Sequence, residues 1–400
     1  MPFAVYLLGL AVFAQGTSEF MLSGLVPGIA RDLHVSIPAA GLLTSAFAAG
    51  MVAGAPLMAV LTLRWPRRNT LLAFLLTFLL VHVIGAVTTS YDVLLATRVV
   101  AALANAGFLA VAMATAMGMV PANAKGRATS VLLGGVTMAC VAGVPGGALL
   151  GEVWGWRSAF WAVAVALVPA VVAVLKSVPS TGGEKPVRAS ARAELRALRR
   201  PRLLVILGLG ALVNGATFCT FTYLAPLLTG VTGLGSGWTP AMLALFGLGS
   251  FAGVTVSGRI ADVRPVRLLV IGGAALPLGW VALALAAGSP VAAFVLVFVQ
   301  GTVSFAVGST LISQALYAAT GAPTLGGASA TAALNVGATA GPWLGGIAIG
   351  AGFGYRAPLW VSAALALLAL VLGGVAAIAG RRSARRHDNS VETDQALGAQ

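Results

Sequence analysis

Apolar residues fill this chain in long unbroken runs, and polar positions gather in the segments between them. A soluble domain would alternate polar and apolar faces along its helices, and these runs do not. Each has roughly the 20 residues that a helix needs to cross a bilayer. They predict spans at 4–29, 38–62, 69–89, 91–119, 128–150 and 158–177. A second set follows at 203–229, 239–262, 266–287, 290–318, 326–349 and 357–379. The expected fold class is an all-α polytopic membrane protein with twelve transmembrane helices.

The second set repeats the first. Gly151, Gly155, Arg157 and Trp161 match Gly350, Gly354, Arg356 and Trp360 at one separation, 199 residues. The same offset pairs Gly16 with Gly215, Pro27 with Pro226, Phe47 with Phe246, Pro66 with Pro265 and Arg68 with Arg267. Matched glycines are cheap in this composition, whereas matched Pro, Arg and Trp are not. The chain reads as one unit written twice. That gives an N-terminal six-helix bundle at 1–177, a basic linker at 178–202, a C-terminal six-helix bundle at 203–380 and a polar tail at 381–400. The tail is expected to lack regular structure.

Composition agrees with membrane residence. Of 400 residues, 59% are hydrophobic and 8% charged, against roughly 25% charged in a soluble protein. The net charge of +14 suggests a nucleic-acid partner until the charges are placed. With twelve spans, one side collects Arg64, Arg67, Arg68, Lys125, Arg127, Arg259, Arg264, Arg267, the linker and the tail arginines. That asymmetry orients the chain with both termini in the cytoplasm of a cell-membrane protein and removes the case for nucleic acid. Within the linker, Arg188, Arg192, Arg196 and Arg199 recur at helical spacing around Leu195 and Leu198. They predict an amphipathic helix on the anionic inner leaflet. Cys140 and Cys219 both fall inside spans, so no disulfide framework is expected. The first run lacks a basic n-region and is too long for a signal h-region, so it is read as helix 1. No P-loop, HExxH or metal-ligand cluster is present in the sequence, so neither an enzyme nor a cofactor is expected.

Glu19 is the one acidic residue well inside an apolar run. An ionised carboxylate there costs a few kcal/mol or more, so it must face a cavity, find a cation or hold a proton. At ~1.5 Å per residue, Glu19, His82 and Arg98 all lie roughly 10–15 Å below the surface opposite the termini. A proton-coupling group of Glu19, Arg98 and His82 follows as a hypothesis. In the second half Phe218 stands at the Glu19 position and Val297 at the Arg98 position, so this chemistry belongs to one half. Aromatic rings with isolated amides suit an apolar ligand carrying a few polar atoms. The candidate substrate-lining residues are Glu19, Asn105, Phe108, Asn214, Phe218, Phe221, Gln300 and Asn335. In helix 5, Gly143, Gly147 and Gly151 recur every fourth residue as a smooth stripe, and Pro145 permits a bend. Such a helix suits a surface along which two halves slide.

Two six-helix halves in parallel repeat with a basic linker resemble the major facilitator superfamily. Gly143-Val-Pro-Gly146-Gly147, with Gly135 upstream and Gly151 beyond, resembles the helix-5 signature of its drug–proton antiporters. Arg98 sits where those antiporters carry a helix-4 arginine. Arg64-Trp-Pro-Arg67-Arg68 resembles the superfamily's helix 2–3 gating loop, with Pro66 at its usual glycine and Leu63 at its usual aspartate. The second copy, Gly258-Arg259-Ile-Ala-Asp262, keeps the acid. Gly16-Thr-Ser-Glu19-Phe20, Leu25-Val-Pro27 and Gly54-Ala-Pro56 are similar to actinobacterial chloramphenicol-efflux proteins. The resemblance implies a monomer that exports a chloramphenicol-like drug against protons, the halves rocking about a central cavity. An exporter of sugars or other small drugs, and a proton-coupled importer, share the same fold.

Overall fold

The computed structural model describes residues 2–62, 65–178, 200–260, 264–319 and 323–397. The expected linker helix, Arg64 and Asp262 lie outside them. The N-terminal half contains α1 (Phe3–Phe20), α2 (Leu22–Asp32), α3 (Ile37–Thr62), α4 (Arg67–Val87) and α5 (Tyr91–Gly118). It continues with α6 (Lys125–Met138), a π-helical turn (Ala139–Gly143), α7 (Val144–Trp154) and α8 (Trp156–Ser177). The C-terminal half contains α9 (Pro201–Thr222), α10 (Leu224–Gly230), α11 (Thr239–Ile260), α12 (Pro265–Ala286) and α13 (Pro290–Ala318). It ends with α14 (Pro323–Ala348), a second π-helical turn (Ile349–Phe353) and α15 (Ala357–Leu397). Among the described residues, eleven helical segments are long and apolar enough to cross a membrane. The 26-residue α14 completes twelve rods.

Three local features depart from the expectations. Spans 1 and 7 are each broken in two, at Met21 and at Tyr223. The second break lies directly ahead of Pro226, whose ring crowds the carbonyl of Thr222 and which has no N–H to donate. The first lies where Arg98 Nη2 donates to the Ser18 carbonyl (2.7 Å), the acceptor Leu22 would use in a continuous helix. The third departure is the tail: α15 runs to Leu397 instead of losing structure after Gly380. A formed transmembrane helix removes the nucleation cost, and Arg381 to Arg386 are mostly good helix formers.

The halves pack alike down to single glycines. A Cβ on Gly50 or Gly54 would press on Ala102 and Val99, or Ala106 and Leu103, of α5. One on Gly249 or Gly253 would strike the backbone at Phe298 or Thr302 of α13, the same positions one repeat on. Gly155 and Gly354 both take a positive φ (79° and 73°), which side chains resist. These turns start the duplicated Trp156-Arg157 and Tyr355-Arg356 steps.

One large buried cluster fills the N-terminal half and another the C-terminal half. The halves meet along two seams, α3 on α14 and α11 on α7 with its π turn. The repeat exchanges these seams, because span 2 corresponds to span 8 and span 5 to span 11. Along span 5 the seam is confined to the π turn and α7, while α6 packs on α1 and α5 of its own half. The molecule is therefore drawn together at the end away from the termini and splayed along the inner half of span 5.

The Gly143–Gly147–Gly151 stripe does not serve the seam as expected. It faces α1 and α2, where Cβ atoms would meet Thr17, Met21 and Leu25 in turn. Helical spacing explains this: every fourth residue of span 5 meets every fourth residue of span 1 within one half. The seam uses another face of span 5, where Gly247 of α11 lies against the backbone of Cys140 and Val141 in the π turn. Pro145, lacking an N–H, leaves a carbonyl of that turn without its helical donor. Only a glycine opposite lets the two backbones come this close.

Candidate functional site: a buried charge cluster beside the seam

Ser18, one residue before Glu19, is the meeting point of three helices. Arg98 Nη1 on α5 donates to Ser18 Oγ (2.9 Å) and Nη2 to the Ser18 carbonyl (2.7 Å). His82 on α4 places Nε2 2.6 Å from Ser18 Oγ and Nδ1 2.7 Å from the Phe78 carbonyl. Hydrogen-bond roles follow by elimination. A carbonyl only accepts, so Nδ1 carries the proton; Ser18 accepts from Arg98 and gives its own proton to Nε2. The chain Arg98 to Ser18 to His82 to Phe78 is satisfied with a neutral imidazole. In this arrangement His82 closes the network, stacked on Phe78 with ring centroids 4.3 Å apart.

Arg98 is wholly buried. Its guanidinium lies 4.5 Å from the Phe47 ring centroid and 5.9 Å from that of Phe160, a cation–π cradle that offsets part of its desolvation. Its Nε has no partner. Among the described residues no ion pair joins Arg98 to Glu19, because successive helical residues point about 100° apart and Arg98 is spent on Ser18. Glu19 nevertheless stays within electrostatic reach of Arg98 and of Cys140 in the π turn. It is enclosed by helices yet only half-buried.

Phe20 carries the site across to the other half. Its ring meets Phe218 at 5.6 Å, Phe218 meets Phe221 at 5.7 Å, Phe221 meets Phe246 at 4.7 Å, and Phe246 meets Phe305 at 6.1 Å. Only the first of these five rings comes from the N-terminal half. Gln15, one turn before Glu19, is buried with neither side-chain polar atom bonded within the protein. Such a group is costly unless water or a ligand satisfies it.

The remaining candidates divide. Asn105 is buried with its amide nitrogen 3.5 Å from the Met51 sulfur. Asn214 donates to the Leu334 carbonyl (2.7 Å), joining α9 to α14, and Asn335 donates to Thr331 in its own helix. Phe108 has no exposed surface and packs inside the N-terminal half, so it offers nothing to a ligand here. Gln300 donates to Leu276 (3.1 Å) and presses on Gly279 of α12, away from the seam. Of the gating-loop residues, Arg67 lies over Gly118 at the end of α5, Arg68 is half-buried and Arg259 exposed. Sequence reading missed Gln15, Ser18 and Phe246. A sequence signal existed for Gln15 alone, which lies one helical turn before Glu19 and so on the same face.

The end opposite the termini is clasped. Tyr223, at the break between α9 and α10, reaches across to Gly41 of α3 and donates to the Pro342 carbonyl (2.9 Å). Ser236 donates to Glu152 across the halves (2.6 Å). Asp32, at the end of α2, accepts from Arg157 and from Trp156 Nε1 (3.0 Å), and Arg157 also donates to the Thr88 carbonyl (2.9 Å). The Arg157 hydrogen bond, then that of Trp156, holds the Asp32 carboxyl below the usual carboxylate range. A depressed folded pKa gives stability that is present above the unfolded value and lost as pH falls through the folded one. Asp32→Asn is expected to lower stability by no more than about 1 kcal/mol at pH 7, since the pair is largely solvated. Thermal unfolding of purified protein checks this; the difference from wild type should shrink as the pH falls below the usual carboxylate range.

The Major Facilitator Superfamily profile matches residues 8–334. The chain is 57% identical over 379 residues to a "Chloramphenicol resistance protein" of Streptomyces lividans, covering 93% of this chain and 95% of that one. It is 35% identical over 367 residues to "Inner membrane transport protein YdhP" of Escherichia coli K12, covering 91% and 93%. Among solved structures, a bacterial homolog of the human lysosomal transporter Spinster, inward-facing and occupied, aligns with a TM-score of 0.76. That alignment covers 94% and 96% of the two chains at 17% identity. With its duplicated six-helix halves, this chain belongs to the Major Facilitator Superfamily and is a multi-pass membrane transporter, not an enzyme.

Proposed function

We propose that this transporter exports chloramphenicol-like antibiotics across the cell membrane in exchange for protons, as a monomer with both termini in the cytoplasm. The observation that supports coupling is Glu19, an enclosed and half-buried carboxyl beside a fixed cation. The name of the 57%-identical relative supports the drug class. The rings from Phe20 to Phe305 offer stacking surface to an aromatic ligand.

The halves, 1–177 and 203–380, rock about Glu19. The clasp of Tyr223, Glu152 and Ser236 closes the external end, and the splayed inner half of span 5 corresponds to access from the cytoplasm. Drug binds while Glu19 is deprotonated. Rocking opens the external end, a proton enters, and the neutral carboxyl no longer holds the drug. Arg98 is tied down by Ser18, so its charge stays in place while Glu19 titrates.

The energetics permit one proton per cycle. About 2.3 kcal/mol per 100 mV and about 1.4 kcal/mol per pH unit together support a roughly 500-fold gradient of a neutral drug. Expression in a sensitive host is expected to raise the inhibitory concentration of chloramphenicol at least several-fold, with the gain lost on adding an uncoupler. Inverted vesicles with labelled chloramphenicol then compare florfenicol, unrelated drugs and sugars as competitors. Competition by sugars alone, or accumulation of drug by intact cells, overturns the proposal in favour of a sugar exporter or an importer.

A further inference from the structure

We propose that the basic end of the C-terminal half holds one anionic phospholipid, its phosphate on Arg259, Arg264 and Arg267 and an acyl chain in the cleft between α11 and α12. This site lies away from Glu19 and does not depend on what the transporter carries.

The cleft follows from how the helices pack. Gly249 and Gly253 draw α11 hard onto α13, and α12 sits on α13 and α15 while barely touching α11. A groove of about 600 Å³ opens between α11 and α12, floored by Val303, Ala306 and Val307 of α13. Its walls are apolar, with Val256 and Ile260 on one side and Leu268 and Ile271 on the other. From Arg264 to Gly272 it rises by ~12 Å, using 1.5 Å per residue. That depth takes the upper part of one chain. All three arginines are exposed and line its mouth.

Charge names the occupant. From Gly258 to Leu268 the sequence carries three arginines and one acid, Asp262. Guanidinium groups fit phosphate oxygens in paired hydrogen bonds, and basic pockets between helices at the membrane surface favour anionic headgroups. The other half provides an internal control. One repeat earlier, Val60 and Trp65 stand at the Arg259 and Arg264 positions and Arg68 at the Arg267 position, with Arg64 and Arg67 elsewhere in the same loop. There Phe74 fills the place against Gly107, and Phe108 stands at the Val307 position. Both halves thus carry arginines at this loop, and what sets the C-terminal half apart is the apolar space that Phe74 takes up in the N-terminal half.

The test is native mass spectrometry of the full chain purified from bilayers of phosphatidylglycerol and phosphatidylcholine. Wild type is expected to retain one phosphatidylglycerol and to exclude phosphatidylcholine. The triple variant Arg259→Gln, Arg264→Gln, Arg267→Gln should retain at least tenfold less. Ile271→Trp, which fills the groove with all three arginines in place, should retain several-fold less. Arg381→Gln, Arg382→Gln, Arg385→Gln, on the same end of the molecule, should retain as much as wild type. Equal retention of both lipids, undiminished retention in either groove variant, or an equal loss in the tail variant overturns the site and leaves only a general lipid annulus.

Discussion

Replacing Glu19 by Gln is expected to abolish export driven by a pH gradient, to the level of vesicles without the protein. The substitution keeps shape and hydrogen-bonding capacity but removes the titrating oxygen. Glu19 makes no hydrogen bond or ion pair among the described residues, so the unfolding temperature should move little. Loss of transport with an unchanged fold is thus the signature. Drug binding to purified protein supplies the second readout: wild type should lose affinity as the medium is acidified, and the Gln variant should bind independently of pH. Transport that survives Glu19→Gln and keeps its pH dependence would falsify the coupling scheme.

Arg98 should behave differently, failing in stability before function. Truncation to Ala empties the space between Phe47 and Phe160, and large-to-small changes in a core cost about 2–5 kcal/mol. It also strips two donors from Ser18. The purified variant is expected to unfold many degrees lower and to yield little protein. Arg98→Lys keeps the charge but has no planar fork to reach Ser18 Oγ and the carbonyl together. An intermediate loss of about 1–3 kcal/mol follows. A thermal unfolding series of wild type, Lys and Ala variants, each with and without Glu19→Gln, reads this directly. Equal unfolding temperatures for all three residues at position 98 would refute the anchoring role given to it.

The sequence carried the spans and the duplication plainly, because bilayer thickness dictates apolar run length and rare residues recur at one offset. It carried Glu19 for the same reason, since a carboxylate in such a run has few excuses. What it concealed is which way each helix faces. When every side of a helix is apolar, packing face and cavity face look alike, so Phe108 and Gln300 read as lining residues although both are buried within their own halves. Ser18 stayed hidden among many small residues because nothing local distinguishes it; its role comes from an arginine eighty positions away. The breaks at Met21 and Tyr223 and the π turns were likewise beyond a periodicity argument. They depend on one cross-helix bond and on where a missing N–H falls. The glycine stripe of span 5 was visible, but small side chains say only that something comes close, not which neighbour.

The adjacency of Glu19 and Phe20 has a mechanical consequence. A single peptide plane separates the proposed proton site from the only N-terminal ring in the aromatic series, so neither can shift without dragging the other. Two cargoes pulling on opposite edges of one rigid plate compete without any relay through the bundle. The exchange then needs no distant communication, and lengthening the spacing by one inserted residue between them should uncouple the two fluxes while leaving each binding event intact.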